Sequence, residues 1–164
     1  MIRPERIGHV VIKVRDLERS KRFYRDVLGL ELMGELAQPR IAFLAANRRD
    51  HHEIGLLEVG AEAGDPAPGA VGLVHIAFRL ANDAELIAAH RELKERGVRI
   101  HFTVDHGVTN SVYFFDPDGN ELEVYADNSR EHVDSMPNPY AGLEKLEFAP
   151  DDPGMREVFA GPKT

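Results

Sequence analysis

Two histidines occupy the same place in two copies of one pattern. His9 sits in Ile7-Gly8-His9-Val10-Val11-Ile12-Lys13-Val14, and His75 in Val71-Gly72-Leu73-Val74-His75-Ile76-Ala77-Phe78-Arg79-Leu80. Each is followed four residues on by a cation, Lys13 or Arg79. Downstream, Asp116-Pro117-Asp118-Gly119-Asn120 has the composition of a tight turn, and the strand-like run after it carries Glu123. Two imidazoles and one carboxylate on strands make a metal-ligand set with open coordination positions, and such a site does chemistry.

These residues need a scaffold, and the repeat supplies it. The two histidines are 66 residues apart in a chain of 164. After the first strand, Asp16 is placed to cap a helix whose apolar residues are Leu17, Phe23, Tyr24, Val27 and Leu28, with Gly29 at its end. After the second, Asn82 or Asp83 is placed to cap a helix with Leu86, Ile87, His90 and Leu93 inward, and Gly97 ends it. Strand-like runs follow each helix: Leu30 to Gly34, Arg40 to Ala45 and Glu53 to Val59, then Arg99 to Val104, Ser111 to Phe115 and Glu121 to Tyr125. Each copy therefore reads as strand, helix and three strands, an α+β arrangement of two βαβββ modules, about 5–60 and 70–127. Ala61 to Ala70 has the composition of a linker. Residues 128–164 form an extension rich in Pro, Asp and Glu, expected to hug the surface with one short helix near Ala141 to Leu146.

Strand alternation orients the candidates. Val10, Ile12 and Val14 share the face expected under a helix, and His9 lies opposite with Val11 and Lys13. In the second copy Val74, Ile76, Phe78 and Leu80 are the packing residues, and His75 points away. Leu122 and Val124 share a face, which puts Glu123 opposite with Glu121 and Tyr125. All three candidate ligands fall on faces that helices do not cover, and two such sheets would form a half-barrel around a metal site.

Composition narrows the function classes. The chain is 43% hydrophobic, enough for a globular core. With no cysteine there is no disulfide framework, thiolate metal site or cysteine nucleophile. The net charge of −8, uninterrupted by a basic stripe, argues against nucleic acid or an anionic membrane as partner. No apolar run is long enough to span a bilayer and no signal peptide opens the chain, so a cytoplasmic location is expected. A homo-oligomer is expected as well.

Residues 5–127 resemble the vicinal oxygen chelate superfamily, whose members pair two βαβββ modules around a metal. Within it the resemblance is closest to the small single-domain extradiol (catechol-type) dioxygenases. Gly8-His9, His75 and Glu123 match the ligand positions of that group, which implies Fe(II), with Mn(II), Ni(II) and Zn(II) as alternatives. Asp105-His106-Gly107-Val108 with Ser111-Val112-Tyr113-Phe114 resembles the segment that carries the active-site histidine and tyrosine, and Asp50-His51-His52 resembles the paired histidines. The resemblance implies a small aromatic diol and O2 as substrates. It assigns oxygen-side acid/base work to His52, a hydrogen bond to substrate or intermediate to His106, and to Tyr113 a hydrogen bond to a substrate oxygen with a share in its deprotonation. Histidine suits proton handling near neutrality, with a reference pKa of about 6.5.

His51 is expected to face away from His52, and His90, His101 and His132 have no assigned role. Glu58 leaves a second reading open. It lies near the end of the first module, where the glyoxalase and epimerase branches hold a fourth ligand. A His9, Glu58, His75, Glu123 set would suit a lyase or isomerase on Ni(II), Zn(II) or Co(II). A small-molecule-binding protein of the same fold is a third reading.

Overall fold

Burial along the first strand alternates as the sequence predicts: Ile12 and Val14 are buried, whereas Val11 and Lys13 are exposed. A computed structural model describes residues 1–67 and 69–148 of the chain. It divides into two units, Met1–Val71 and Gly72–Thr164. In the first the elements run β1 (Val10–Val14), α1 (Leu17–Asp26), β2 (Glu31–Ala37), β3 (Arg40–Ala45) and β4 (Ile54–Glu58). In the second they run β5 (His75–Arg79), α2 (Asp83–Glu95), β6 (Ile100–Asp105), β7 (Thr109–Phe115) and β8 (Glu121–Asp127), then α3 (Arg130–Ser135) and β9 (Glu144–Lys145). Both units have the βαβββ order, and the chain is α+β.

The sheets share one topology. The first is ordered β1-β4-β3-β2, the second β5-β8-β7-β6 with β9 added at the end. In each, the first strand lies parallel to the last, and the remaining pairs are antiparallel. Each carries a register shift at the same place, between Leu32 and Gly34 in one unit and between Ile100 and Phe102 in the other. An inserted residue of this kind bends a strand and increases its twist.

The helices form where caps and apolar spacing direct. Asp16 accepts the Arg19 N–H and caps α1; Asn82 accepts the Glu85 N–H and caps α2. α1 buries Leu17, Ser20 and Tyr24, and α2 buries Leu86, His90 and Leu93. Burying a leucine of this kind stabilises the fold by roughly 1.5–3 kcal/mol. Gly97 follows α2 at φ 66°, a left-handed conformation that glycine adopts without steric cost.

Three local expectations are corrected. Ile87 is half exposed, because the inward stripe of α2 runs through Leu86, His90 and Leu93. Val74 is exposed, because β5 begins only at His75. In the extension, the segment 141–146 forms no helix; the short helix is α3 at Arg130–Ser135, and Glu144–Lys145 extends the second sheet by pairing with Val104–Asp105. The rest of the extension, 149–164, lies outside the described residues. No helix among the described residues is long and apolar enough to cross a membrane.

Candidate functional site

In the second unit four predicted residues meet. Ala77 pairs with Glu123 across β5 and β8, and Tyr113 pairs with Glu123 across β7 and β8. Alternation then sets Glu123, Tyr113 and His75 on one face. His75 Nε2 lies 3.1 Å from Glu123 Oε2. The His75 ring meets Tyr113 edge to face, with centroids 5.2 Å apart. His106 enters from the β6–β7 turn, and its Nε2 is 3.0 Å from the Tyr113 hydroxyl. Phe102 stacks on the Tyr113 ring at 4.3 Å and holds it in place.

The electrostatics of this group favour a protonated tyrosine. Tyr113 is 5% exposed, and so is Glu123. Burial first, then the Glu123 carboxylate charge and a hydrogen bond to it, push the Tyr113 hydroxyl well above its ordinary 10. In this state the hydroxyl can donate a hydrogen bond, and both the Glu123 carboxylate and His106 Nε2 stand beside it.

The His106 turn is held by its own polar frame. Asp105 Oδ1 accepts from Gly107 N at 2.6 Å and from Asn128 Nδ2 at 3.2 Å. Asn128 Nδ2 also donates to the Gly107 carbonyl at 2.9 Å. His106 N donates to the Thr109 carbonyl at 2.9 Å.

In the first unit the histidines gather at the start of the sheet. His9 directly precedes β1 and His52 lies two residues before β4; their rings are 4.4 Å apart. Val10 N donates to the Glu53 carbonyl at 2.9 Å, which ties these two approaches together. The ring of Phe43 lies 4.8 Å from that of His52. His52 Nε2 is buried and has no hydrogen-bond partner among the described residues. Burial first, then the neighbouring His51 and His9 imidazoles, hold the His52 pKa below 6.5. A neutral imidazole with a free buried nitrogen is ready to take or give a proton. His51 does not face away from His52: their Nδ1 atoms are 2.6 Å apart.

Glu58 has other work. Leu17 N–H, at the start of α1, donates to its Oε2 at 2.9 Å, and Arg40 contacts its Oε1 at 2.6 Å. The carboxylate therefore lies on the helix-covered face, at the positive end of α1. Strand register identifies the true counterpart of Glu123. Two residues after His75, Ala77 pairs with Glu123; two residues after His9, Val11 pairs with Gly55. The first unit thus has a glycine where the second has its carboxylate. A Cβ on Gly55 would stand 2.9 Å from Val11 Cγ2, so the Val11 side chain would have to shift to admit one.

Among the described residues, no group of three or more His, Cys, Asp or Glu side chains stands ready to hold an ion. His75 and Glu123 are together; His9 belongs to the other unit. Sequence reasoning missed Phe43, Asn128 and the His101–Glu121 contact, in which Nδ1 and Oε1 are 2.5 Å apart. The His101 contact is spread over β6 and β8, so no local motif announces it.

Comparison with known proteins extends the picture. The family described as Glyoxalase/Bleomycin resistance protein/Dioxygenase superfamily matches residues 6–124. The chain is 35% identical over 124 residues to biphenyl-2,3-diol 1,2-dioxygenase 3 of Rhodococcus globerulus, covering 75% of this chain and 64% of that protein. It is 36% identical over 125 residues to catechol-2,3-dioxygenase of Bacillus subtilis, covering 76% of this chain and 42% of that protein. This chain therefore spans less than two thirds of either dioxygenase. A solved structure of lactoylglutathione lyase from Agrobacterium tumefaciens matches with a TM-score of 0.59 at 28% identity, over 75% of this chain and 94% of that one.

Proposed function

Since this chain belongs to the Glyoxalase/Bleomycin resistance protein/Dioxygenase superfamily, we propose that it is an extradiol ring-cleaving dioxygenase acting on a catechol-type diol with O2. The observation that carries this reading is the His106–Tyr113 pair beside His75 and Glu123, gathered on one sheet face. A hydroxyl donor backed by an imidazole suits a reaction that must hold and move the proton of a diol. The identities of 35% and 36% to two ring-cleaving dioxygenases support the same reaction type. Gly55 at the register counterpart of Glu123, and the engagement of Glu58 by α1 and Arg40, speak against a four-ligand lyase.

The proposed metal ligands are His9, His75 and Glu123. Two members of that set support the assignment: the buried Glu123 carboxylate has the His75 imidazole nitrogen 3.1 Å away, a carboxylate–imidazole pair of the kind that holds a divalent ion. Fe(II) is the proposed metal, with Mn(II), Ni(II) and Zn(II) as alternatives; when bound it would supply adjacent positions for diol and O2 and a route for electrons between them. Tyr113 donates a hydrogen bond to a diol oxygen and orients the ring. His106, at 3.0 Å from that hydroxyl, accepts or returns the proton. His52 offers the oxygen side its Nε2, which is buried and without a hydrogen-bond partner among the described residues. In the overall reaction the C–C bond beside the diol breaks, ring carbons are oxidised, O2 is reduced, and both of its oxygen atoms enter the product.

The test is oxygen uptake. Protein loaded anaerobically with Fe(II) and then exposed to air with a panel of catechols should consume one O2 per diol and generate a yellow ring-cleaved product. No uptake across the panel, with conversion of a glutathione hemithioacetal instead, would overturn the reading in favour of a lyase.

A further inference from the structure

We propose that Gly142 is a positioning residue for His106: the chain after α3 crosses the His106–Gly107 peptide so closely that it sets where the imidazole stands against Tyr113. This rests on the reading of His106 and Tyr113 as site residues. A Cβ on Gly142 would stand 2.4 Å from the His106 carbonyl carbon, 2.5 Å from Gly107 N and 2.6 Å from the His106 oxygen. From the other side, a Cβ on Gly107 would stand 2.4 Å from the Pro139 carbonyl oxygen and 3.0 Å from Met136 Cε. Two backbones meet here with no room for a side chain on either.

The crossing segment has little freedom to withdraw. Upstream, Met136 N bonds the Val133 carbonyl and Ala141 N bonds the Asn138 carbonyl. Downstream, Glu144–Lys145 pairs with β6, and Thr103 Oγ1 donates to the Leu146 carbonyl at 2.8 Å. On the facing side, Asp105 and Asn128 hold both peptide groups of Gly107. The contacts a new methyl would meet are backbone atoms, which cannot rotate away as a flexible side chain can. The loop must then shift by roughly 0.5–1 Å, enough to take a 3.0 Å hydrogen bond beyond the usual 2.7–3.2 Å range. Misplacement of a proton-handling group by about 1 Å costs on the order of 100-fold in rate.

The experiment compares the full chain with its Gly142→Ala variant, and with Gly64→Ala as a control at a site with nothing within 4 Å among the described residues. Long-range 15N–1H correlation spectra of metal-free protein report the ring nitrogens of His106, assigned by loss of the signal in His106→Gln. Gly142→Ala should move the His106 Nε2 resonance in the same direction as Tyr113→Phe does, and Gly64→Ala should leave it in place. In iron-loaded protein, kcat on catechol should fall on the order of 10–100-fold, and Gly142→Ala combined with His106→Gln should be no slower than His106→Gln alone, within about twofold. A folded Gly142→Ala with an unmoved His106 resonance would overturn the proposal; so would a kcat loss that multiplies with that of His106→Gln. If Gly142→Ala does not fold, Thr103→Val releases the Leu146 anchor without adding a heavy atom, and an unmoved His106 resonance there overturns the proposal equally. Absence of ring cleavage by the parent would sink the dioxygenase reading, while the spectra would still decide the positioning role.

Discussion

Glu58→Gln tests the three-ligand reading at one side chain. In the fold its carboxylate takes the Leu17 N–H at 2.9 Å and contacts Arg40 at 2.6 Å. Glutamine keeps an oxygen for Leu17 but turns an NH2 group toward the guanidinium. The Arg40 side chain is 51% exposed, so solvent screening limits the lost ion pair to about 0.2–1 kcal/mol. Losing the negative charge at the start of α1 costs about 0.3–1 kcal/mol. The total, roughly 1 kcal/mol, lowers Tm by about 2–4 °C for a chain of this size. Neither contribution involves a metal. Mn(II) affinity, followed anaerobically by the EPR signal of the free ion, should therefore stay within about twofold of the parent. Glu123→Gln, by contrast, removes a proposed ligand and should weaken binding beyond the roughly 10–100-fold expected for losing an outer partner. Loss of Mn(II) affinity by about 100-fold in Glu58→Gln, with Tm unchanged, would refute the reasoning.

The other predictions address ligands, proton handling and the helix cap. His9→Ala, His75→Ala and Glu123→Ala should each abolish tight 1:1 Fe(II) binding in anaerobic calorimetry; three variants that bind as the parent does would move the site elsewhere. Tyr113→Phe should lower kcat for ring cleavage by about 10²–10⁴ with little change in Tm, because stacking on Phe102 persists; a kcat within twofold of the parent removes the tyrosine from proton handling. Asp16 has its pKa held below 3.8, chiefly by accepting the Arg19 backbone N–H. A carboxylate depressed by folding contributes stability that is present above the unfolded value and lost as pH falls through the folded one. Asp16→Asn should therefore keep the cap at neutral pH and flatten the decline in the urea midpoint below about pH 3.8. An unchanged acid limb would show that the cap does not titrate with folding.

Much of this molecule was legible in the chain because its determinants are local. The period of two along Val10–Val14 and Glu121–Tyr125 sets which side chains face away from the helices, and that alternation needs no knowledge of neighbours. Asp16 and Asn82 announced their helices through short side-chain-to-backbone bonds within three residues. The repeat exposed the βαβββ order, since the second copy obeys the same spacing as the first. Tertiary structure decided what depends on register between strands distant in sequence. Glu58 looked like the partner of Glu123 by its position near a strand end, yet pairing assigns that place to Gly55 and turns Glu58 to the amide of Leu17. The meeting of His106 with Tyr113, and of Gly142 with the His106 peptide, depends on a turn and an extension brought together by β6–β7 and β6–β9 pairing. One residue of register slip moves a side chain to the opposite face, so the chemistry of such a site is set by pairing that no local stretch of sequence encodes.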